Sequence, residues 1–385
     1  MTAPPQLETL RHAVERGFER YLAELEQLVS IDCGSYTRDG VNSVADFCAA
    51  QLEELGARIE RFGHGRLGDL VIGRIAGDGP RLLLIGHMDT VFDEGTAAAR
   101  PFRIVGDRAL GPGVTDMKAG LLAGLHAIRA LRGTGARPSV TYVCNPDEEI
   151  GSPFSTPHIR RLVPEHDLAL VLECARANGD IVSARKGVAD LHLTLTGRAA
   201  HAGVEPEKGR SAILAAAHQV LALHELNGRW PGVTVNVGVI AGGTRPNVVA
   251  ERCEMKVDLR AAHAAEMDAA RAEIEAIAGR TPVDGVTAEL RGVSGHRPME
   301  RTATTARLVE VAQAIARDLG FPLADAATGG ASDANTTAGM GLPTLDGLGP
   351  IGGDDHSADE WLDLTSVVPR ISLLAGLMHS AESAL

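Results

Sequence analysis

Aromatic side chains are scarce, at 3% of the 385 residues. That speaks against a nucleic-acid platform, which stacks bases on exposed rings. Basic charge is in deficit as well: 37 Lys and Arg stand against 50 Asp and Glu, a formal net charge of −13. This is the wrong sign for phosphate backbones or anionic membrane surfaces. The five cysteines (Cys33, Cys48, Cys144, Cys174 and Cys253) are odd in number and show no CxxC spacing. Neither a disulfide framework nor a cysteine zinc site is expected from them. No apolar run is long enough to span a bilayer. The opening stretch, MTAPPQLETLRHAVERGFERY, turns polar where the apolar region of a signal peptide would lie. Together these absences point to the reducing cytoplasm and to a chain without nucleic-acid or membrane partners. An anionic small substrate remains open, because a pocket needs only one local arginine.

What is present is a long chain rich in glycine, with 44 Gly and 44% hydrophobic residues. Its length exceeds what one core usually supports. Apolar positions at Leu7, Leu10, Val14, Phe18, Leu25 and Leu28 keep helical period across 7–29, and a second helical stretch runs from about Val44 to Leu55. Strand-like runs follow at 69–77, 80–90, 139–144 and 167–172, with a helix over about 117–132 between them. Continuous apolar strands alternating with helices predict an α/β layer with a mostly parallel central sheet flanked by helices.

The texture changes near residue 185. GVADLHLTLTG (187–197) alternates with period two, and the strand–helix–strand–strand–helix–strand order that follows is ferredoxin-like. From Thr302 the α/β texture resumes. The expected organisation is a discontinuous catalytic domain, 1–184 and 296–385, with an α+β domain inserted at 185–295.

The chemistry-bearing residues fall at the ends of the predicted parallel strands, where ligands bind in open α/β sheets. GHMDTVF places His87 and Asp89 two apart, on one face of a strand. GPGVTDMKAG sets Asp116 in a glycine-rich turn before a helix; Glu148 and Glu149 follow the third strand in PDEEIGS, and Glu173 follows the fourth. His356 lies far along the chain in GGDDHSADE. Each residue has an ordinary alternative when taken singly: a hydrogen-bonded strand-end His, an N-cap Asp, a solvated acidic turn. Asp147 keeps that last reading, and Lys118 and Lys186 read as structural ion-pair partners. Several such coincidences at successive strand ends are hard to sustain. Two histidines with carboxylates and no cysteine suit zinc or cobalt, with manganese also possible. The count fits two metals, each with one His and one acid, plus a shared Asp. One glutamate of the adjacent pair is then left to take a proton from water. An NAD-dependent enzyme, the other reading of the α/β pattern, would need a GxGxxG after its first strand, and none is there.

The motif set GHMDTV, GPGVTDMKAG, PDEEIGS, Glu173 and DDHSADE resembles the dinuclear-zinc exopeptidase and deacylase family, over nearly the whole chain. That family includes glutamate carboxypeptidase, acetylornithine deacetylase, succinyl-diaminopimelate desuccinylase and aminoacylase. GRAAHAG, GGASDAN and HSADEWLD look most like the glutamate carboxypeptidase branch, and Glu rather than Asp at 173 is similar to the carboxypeptidases and deacylases more than to the aminopeptidases. The resemblance implies that Asp116 bridges two metals, most simply zinc, with His87 and Glu173 completing one site and Glu149 and His356 the other. It implies Glu148 as general base acting on a metal-bridging water, with Asp89 orienting His87. In the inserted domain it implies that His201 reaches across a homodimer to stabilise the oxyanion. Asn247, Arg260, Arg297 and the loop at Gly330 become candidates for holding a substrate carboxylate. The implied activity is hydrolysis of an amide bond adjacent to a free-carboxylate amino acid, in a small molecule or short peptide. The alternative is an N-acyl-amino-acid deacylase.

Overall fold

The apolar run Leu82, Leu83, Leu84 and Ile85 is wholly buried and forms the middle of strand Arg81–His87, as a strand covered on both faces requires. In the computed structural model, which describes residues 5–132 and 134–384, this strand belongs to a six-stranded sheet. It pairs in parallel with Ser139–Asn145 on one side and Leu168–Val171 on the other. Thr344–Leu345 extends the parallel set. The opposite edge departs from the parallel pairing: Leu70–Ile75 runs antiparallel to Ser139–Asn145, and Arg58–Phe62 antiparallel to Leu70–Ile75. The parallel register places His87 opposite Asn145 and Ile85 opposite Val171. Three adjacent strands therefore end on one sheet edge, and their following residues meet there.

Helix Ala119–Leu131 is buried at almost every position, as a helix apolar all round must be. Gly120 lets it lie close to the sheet: a Cβ there would stand 1.9 Å from the Leu172 carbonyl oxygen. This approach brings the segment before the helix, with Asp116, to the same sheet edge. The single helix expected over 7–29 is instead two, Pro5–Arg16 and Phe18–Val29. They are separated at Gly17, whose N–H is shared between the carbonyls of Ala13 and Val14, and glycine holds a helix poorly at such a point.

A small four-stranded sheet frames the loop that holds His356: Gly352–Gly353, Trp361–Asp363, Arg108–Leu110 and Arg103–Val105, in that order. Strands of two or three residues have no readable period, and the sequence pattern does not reveal this sheet.

The chain forms two units, 1–183 with 301–327 and 332–385, and 184–300 with 328–331. The second unit is a four-stranded antiparallel sheet, ordered Thr234–Gly242, Arg252–Ala261, Gly187–Thr196 and Thr287–His296. Helices Ala212–His224 and Ala264–Ala278 contribute to its apolar clusters. Along Gly187–Thr196 the odd-numbered residues are buried, the half-covered pattern that the alternation predicts.

Candidate metal centre

His87 ends its strand and is 2% exposed. Its Nδ1 lies 2.9 Å from the backbone carbonyl oxygen of Asp89. A carbonyl can only accept, so Nδ1 carries a proton, and in the neutral ring Nε2 presents a lone pair. That Nε2 faces Asp116 Oδ1 at 3.1 Å and Glu173 Oε1 at 3.8 Å. Lone pairs aimed at carboxylates repel unless a proton or a cation lies between them.

Asp116 sits in the turn before helix Ala119–Leu131 with φ −110° and ψ 95°, outside helical geometry. The N-cap alternative thus gives way to a carboxylate held out between two imidazoles. Its Oδ2 lies 3.1 Å from His356 Nε2, and the same Nε2 is 3.1 Å from Glu149 Oε2. His356 occupies the loop joining the last two strands of the small sheet, with φ +62°. Glu148–Ile150 is one turn of 3-10 helix, closed by Gly151 at φ +84°. Ligand atoms of His87, Glu148 and Glu173 lie within 4.8 Å of one another, as do those of His87, Asp116 and Glu149.

The electrostatics follow from packing acids together away from water. Burial pushes the Glu148 carboxyl well above the usual carboxylate range, and the neighbouring Glu173 adds to the effect. Burial raises Glu149 too, against the contact with His356. Burial also opposes charge on His87, but Glu173, Asp116 and Asp89 outweigh it and push its pKa well above the ordinary histidine value. Hydrogen bonds to Asp116 and Glu149 carry His356 up to about 11. Without metal, protons on the imidazoles are what hold the acids together. The donor set fits divalent cations, because it combines imidazole and carboxylate donors facing one another. Glu149 Oε1 adds a specific sign: it is buried and has no hydrogen-bond partner among the described residues, the state of an oxygen awaiting a ligand.

Asp89 does more than its neighbour's orientation requires. Its backbone carbonyl makes the near contact with His87, while its carboxylate accepts from Ser35 Oγ at 2.6 Å and from the backbone N–H groups of Glu148 and Glu149 at 3.1 and 3.2 Å. One residue thus fixes both the first histidine, through its carbonyl, and the glutamate turn, through its carboxylate. Asp147 is not the solvated acid expected. It is 0% exposed, and its carboxylate accepts from Phe154 N–H and Ser155 Oγ. Its burial follows from shaping the turn that carries the two glutamates. Lys118 is likewise buried, and its ammonium donates to the carbonyls of Ile31 and Pro112 at 3.1 Å rather than to an acid. Sequence reasoning also passed over Glu360, inside the quoted HSADEWLD motif. It is 2% exposed and accepts three backbone N–H groups from the Asp116 turn.

The candidates in the second unit have a different setting. His201 is exposed, and Gly203 N–H donates to its Nδ1. Asn247 is exposed, with its backbone carbonyl accepting from Ala202 N–H. Arg260 is partly exposed; its guanidinium bonds Asp258 and, at 2.8 Å, the Gly329 carbonyl. Arg297 is exposed and pairs with Asp268. Gly330 is exposed, and its carbonyl accepts from Arg185.

Imidazoles and carboxylates gathered on the carboxyl edge of an α/β sheet are the donor set of a metallohydrolase. The chain belongs to peptidase family M20/M25/M40, whose model matches residues 83–380. It is 31% identical to carboxypeptidase G2 of Pseudomonas sp. (strain RS-16) over 362 residues, covering 92% of this chain and 87% of that one. It is 29% identical to an N-acetyl-L-citrulline deacetylase of Xanthomonas campestris pv. campestris over 264 residues, 64% of this chain and 68% of that one. The crystal structure of aminopeptidase PepT from Bacillus cereus shares the fold, with a TM-score of 0.76 at 23% identity, covering 94% of this chain and 98% of that one. No helix among the described residues is long and apolar enough to cross a membrane.

Proposed function

We propose that the protein hydrolyses an amide bond adjacent to an amino acid with a free carboxylate, in the manner of a glutamate carboxypeptidase. The observation that carries this reading is the setting of Asp116, 3.1 Å from each of two imidazoles, with the raised carboxyl of Glu148 in the same cluster. The likeness to carboxypeptidase G2 over most of both chains supports it. Two divalent cations, zinc first with cobalt or manganese as alternatives, would be held by His87 and Glu173, by Glu149 and His356, and by Asp116 between them; when bound they supply Lewis-acid polarisation and acidify water.

The protein's own groups do the rest. Glu148 accepts the proton of the attacking water, in keeping with its buried place among the carboxyls of the cluster, which raises its affinity for a proton above the usual carboxylate range. It then returns that proton to the departing nitrogen. Asp89 holds the two glutamate amides and His87 in register. His201 reaches across the homodimer to offer an imidazole N–H to the oxyanion developing in the other subunit's site. Arg260 presents a planar fork to the substrate carboxylate, with Asn247, Arg297 and the backbone at Gly330 as further contacts. Replacing Glu148 by Ala should lower kcat by at least about 10²–10⁴-fold while leaving bound metal in place; normal turnover in that variant would sink the mechanism.

A second reading, an N-acyl-amino-acid deacylase, is favoured by the likeness to the citrulline deacetylase. A panel of folyl-glutamate, N-acetyl and N-succinyl amino acids separates the two by their relative kcat/KM. A homodimer through the second unit is supported by apolar side chains left exposed there: Leu214 and Leu221 on helix Ala212–His224, with Val239 and Ile240 on edge strand Thr234–Gly242. Sedimentation that gives a monomer at micromolar concentration would remove the dimer. Five free, buried cysteines are in keeping with a reducing, cytoplasmic setting, which cell fractionation checks.

A further inference from the structure

Glu360 is a fully sequestered carboxylate, 2% exposed, and the proton-transfer scheme gives it no task. Its burial pushes its pKa up to about 7, even though backbone N–H groups work to keep it charged. Burying a carboxylate is costly unless its oxygens are fully used. Here they are used on one short stretch of chain. Oε2 accepts from Gly113 N–H at 2.8 Å, and Oε1 accepts from Thr115 N–H at 2.9 Å and Asp116 N–H at 3.1 Å.

This stretch is otherwise poorly determined by regular structure. Gly113 has φ +68°, and Asp116 and Met117 depart from helical angles, so few ladder hydrogen bonds set the direction of the Asp116 side chain. Glu360 stands at the other end of a loop from His356. It immediately precedes strand Trp361–Asp363, which pairs with Gly352–Gly353 across that loop and with Arg108–Leu110 upstream of the turn. A single carboxylate therefore ties the base of the His356 loop to the backbone of Asp116. The two side chains it connects approach to 3.1 Å, although 240 residues separate them in sequence.

We propose that Glu360 is a positioning residue for the metal centre: by gripping the Gly113–Asp116 backbone from the base of the His356 loop, it sets the separation of Asp116 and His356. The inference rests on the metal-dependent reading above. Its specific consequence is asymmetric. Asp116, Glu149 and His356 hold one proposed cation, and His87, Glu173 and Asp116 the other; His87 ends and Glu173 follows sheet strands, and the Glu360 hydrogen bonds go to the Gly113–Asp116 backbone instead. Losing the clasp should loosen the first cation more than the second.

The experiment measures retention of Co²⁺ in the full-length protein across a chelator series, by metal content and visible absorption, for wild type, H356A, E360Q and E360D. In E360Q the new amide N–H₂ confronts backbone donors; in E360D the carboxylate is retained but falls short of them. The expected result is that E360Q releases one equivalent at about 10–100-fold less chelator than wild type, the usual size of such indirect effects on metal affinity. Its remaining absorption should match that of H356A, while its metal-free melting temperature stays within about 5 °C of wild type. E360D should fall between the two. A merely structural role would lower the melting temperature without changing the spectrum. Wild-type retention of both equivalents in E360Q overturns the proposal. So does equal loss of both equivalents, or release in E360Q and E360D that only tracks unfolding at every temperature. If wild type itself takes up no Co²⁺, the metal-dependent reading fails and the Glu360 assignment falls with it; if only the E360Q result fails, that reading stands.

Discussion

The two units set most of their candidate site residues in opposite ways, although His356 of the first unit is itself exposed. In the first, His87, Asp89, Glu173 and Glu360 are at most 8% exposed; the first three face one another across a few ångströms, and Glu360 accepts from the backbone of the Asp116 turn. In the second, His201, Asn247 and Arg297 are exposed, and the arginines pair with neighbouring aspartates on the same surface. Exposed pairs of that kind are worth about 0–1 kcal/mol and are readily exchanged. Buried, mutually opposed groups persist only when something offsets their desolvation. The centre's donors are held by buried contacts, while a role for the second unit's arginines requires one of them to release its partner.

The largest break in this comparison is expected at Asp89. Its carboxylate accepts three hydrogen bonds and its carbonyl orients His87. In D89N an amide N–H₂ meets a glutamate N–H, leaving a buried donor unsatisfied at a cost of about 1–3 kcal/mol. Activity and metal affinity should each fall about 10–100-fold; denaturant unfolding, kinetics and chelator titration measure the three effects. An S35A control that loses as much would show that the aspartate is not the centre of the network.

The next effect is on pH. In the metal-free protein His356 is held up at about 11 and facing carboxylates raise His87 well above its ordinary value, so both imidazoles hold their protons more tightly than a free histidine. Metal must displace those protons, and apparent affinity should rise with pH by up to about tenfold per unit for each proton released. Competition with a chelator at pH 6, 7 and 8 tests this, and a flat profile would count against the assigned ligands. The stability sign runs the other way. The folded-state pKa of His356 lies above its unfolded value near 6.5. Its stabilisation of the metal-free fold is fully present below that value and is lost as pH rises through about 11. The raised Glu148 and Glu149 act in the same direction, since each prefers its proton in the folded state. Urea midpoints of the metal-free protein should therefore decline from pH 6 to pH 10.

The smallest effects are expected in the second unit. Arg260→Ala should raise KM about tenfold for carboxylate-bearing substrates with little change in kcat. Arg297→Ala, whose fork is tied to Asp268, should change KM by about twofold or less. The reverse order would exchange their roles.

Much of this protein is legible before folding. Period-two alternation marks Gly187–Thr196, continuous apolar runs mark the parallel strands, His87, Glu148, Glu149 and Glu173 stand out because they fall at strand ends, and Asp116 and His356 because of the glycine-rich turn and acidic motif that hold them. These are properties of residue type and short spacing, which the chain carries locally. The small sheet, the antiparallel edge, the break at Gly17 and the roles of Asp147 and Glu360 are not legible in that way. An acid in a motif looks the same whether it meets water or three backbone N–H groups. Asp147 became a buried bracket for the glutamate turn only because Phe154 and Ser155 fold back onto it. Asp116 came to face both His87 and His356 only because strands, a glycine-assisted helix approach and a distant loop converge on one sheet edge. The sequence by itself determined which donors are available and on which local face each begins. Tertiary structure decided which of them lose water and face one another, because desolvation and long-range contact belong to the packed chain and to no segment of it.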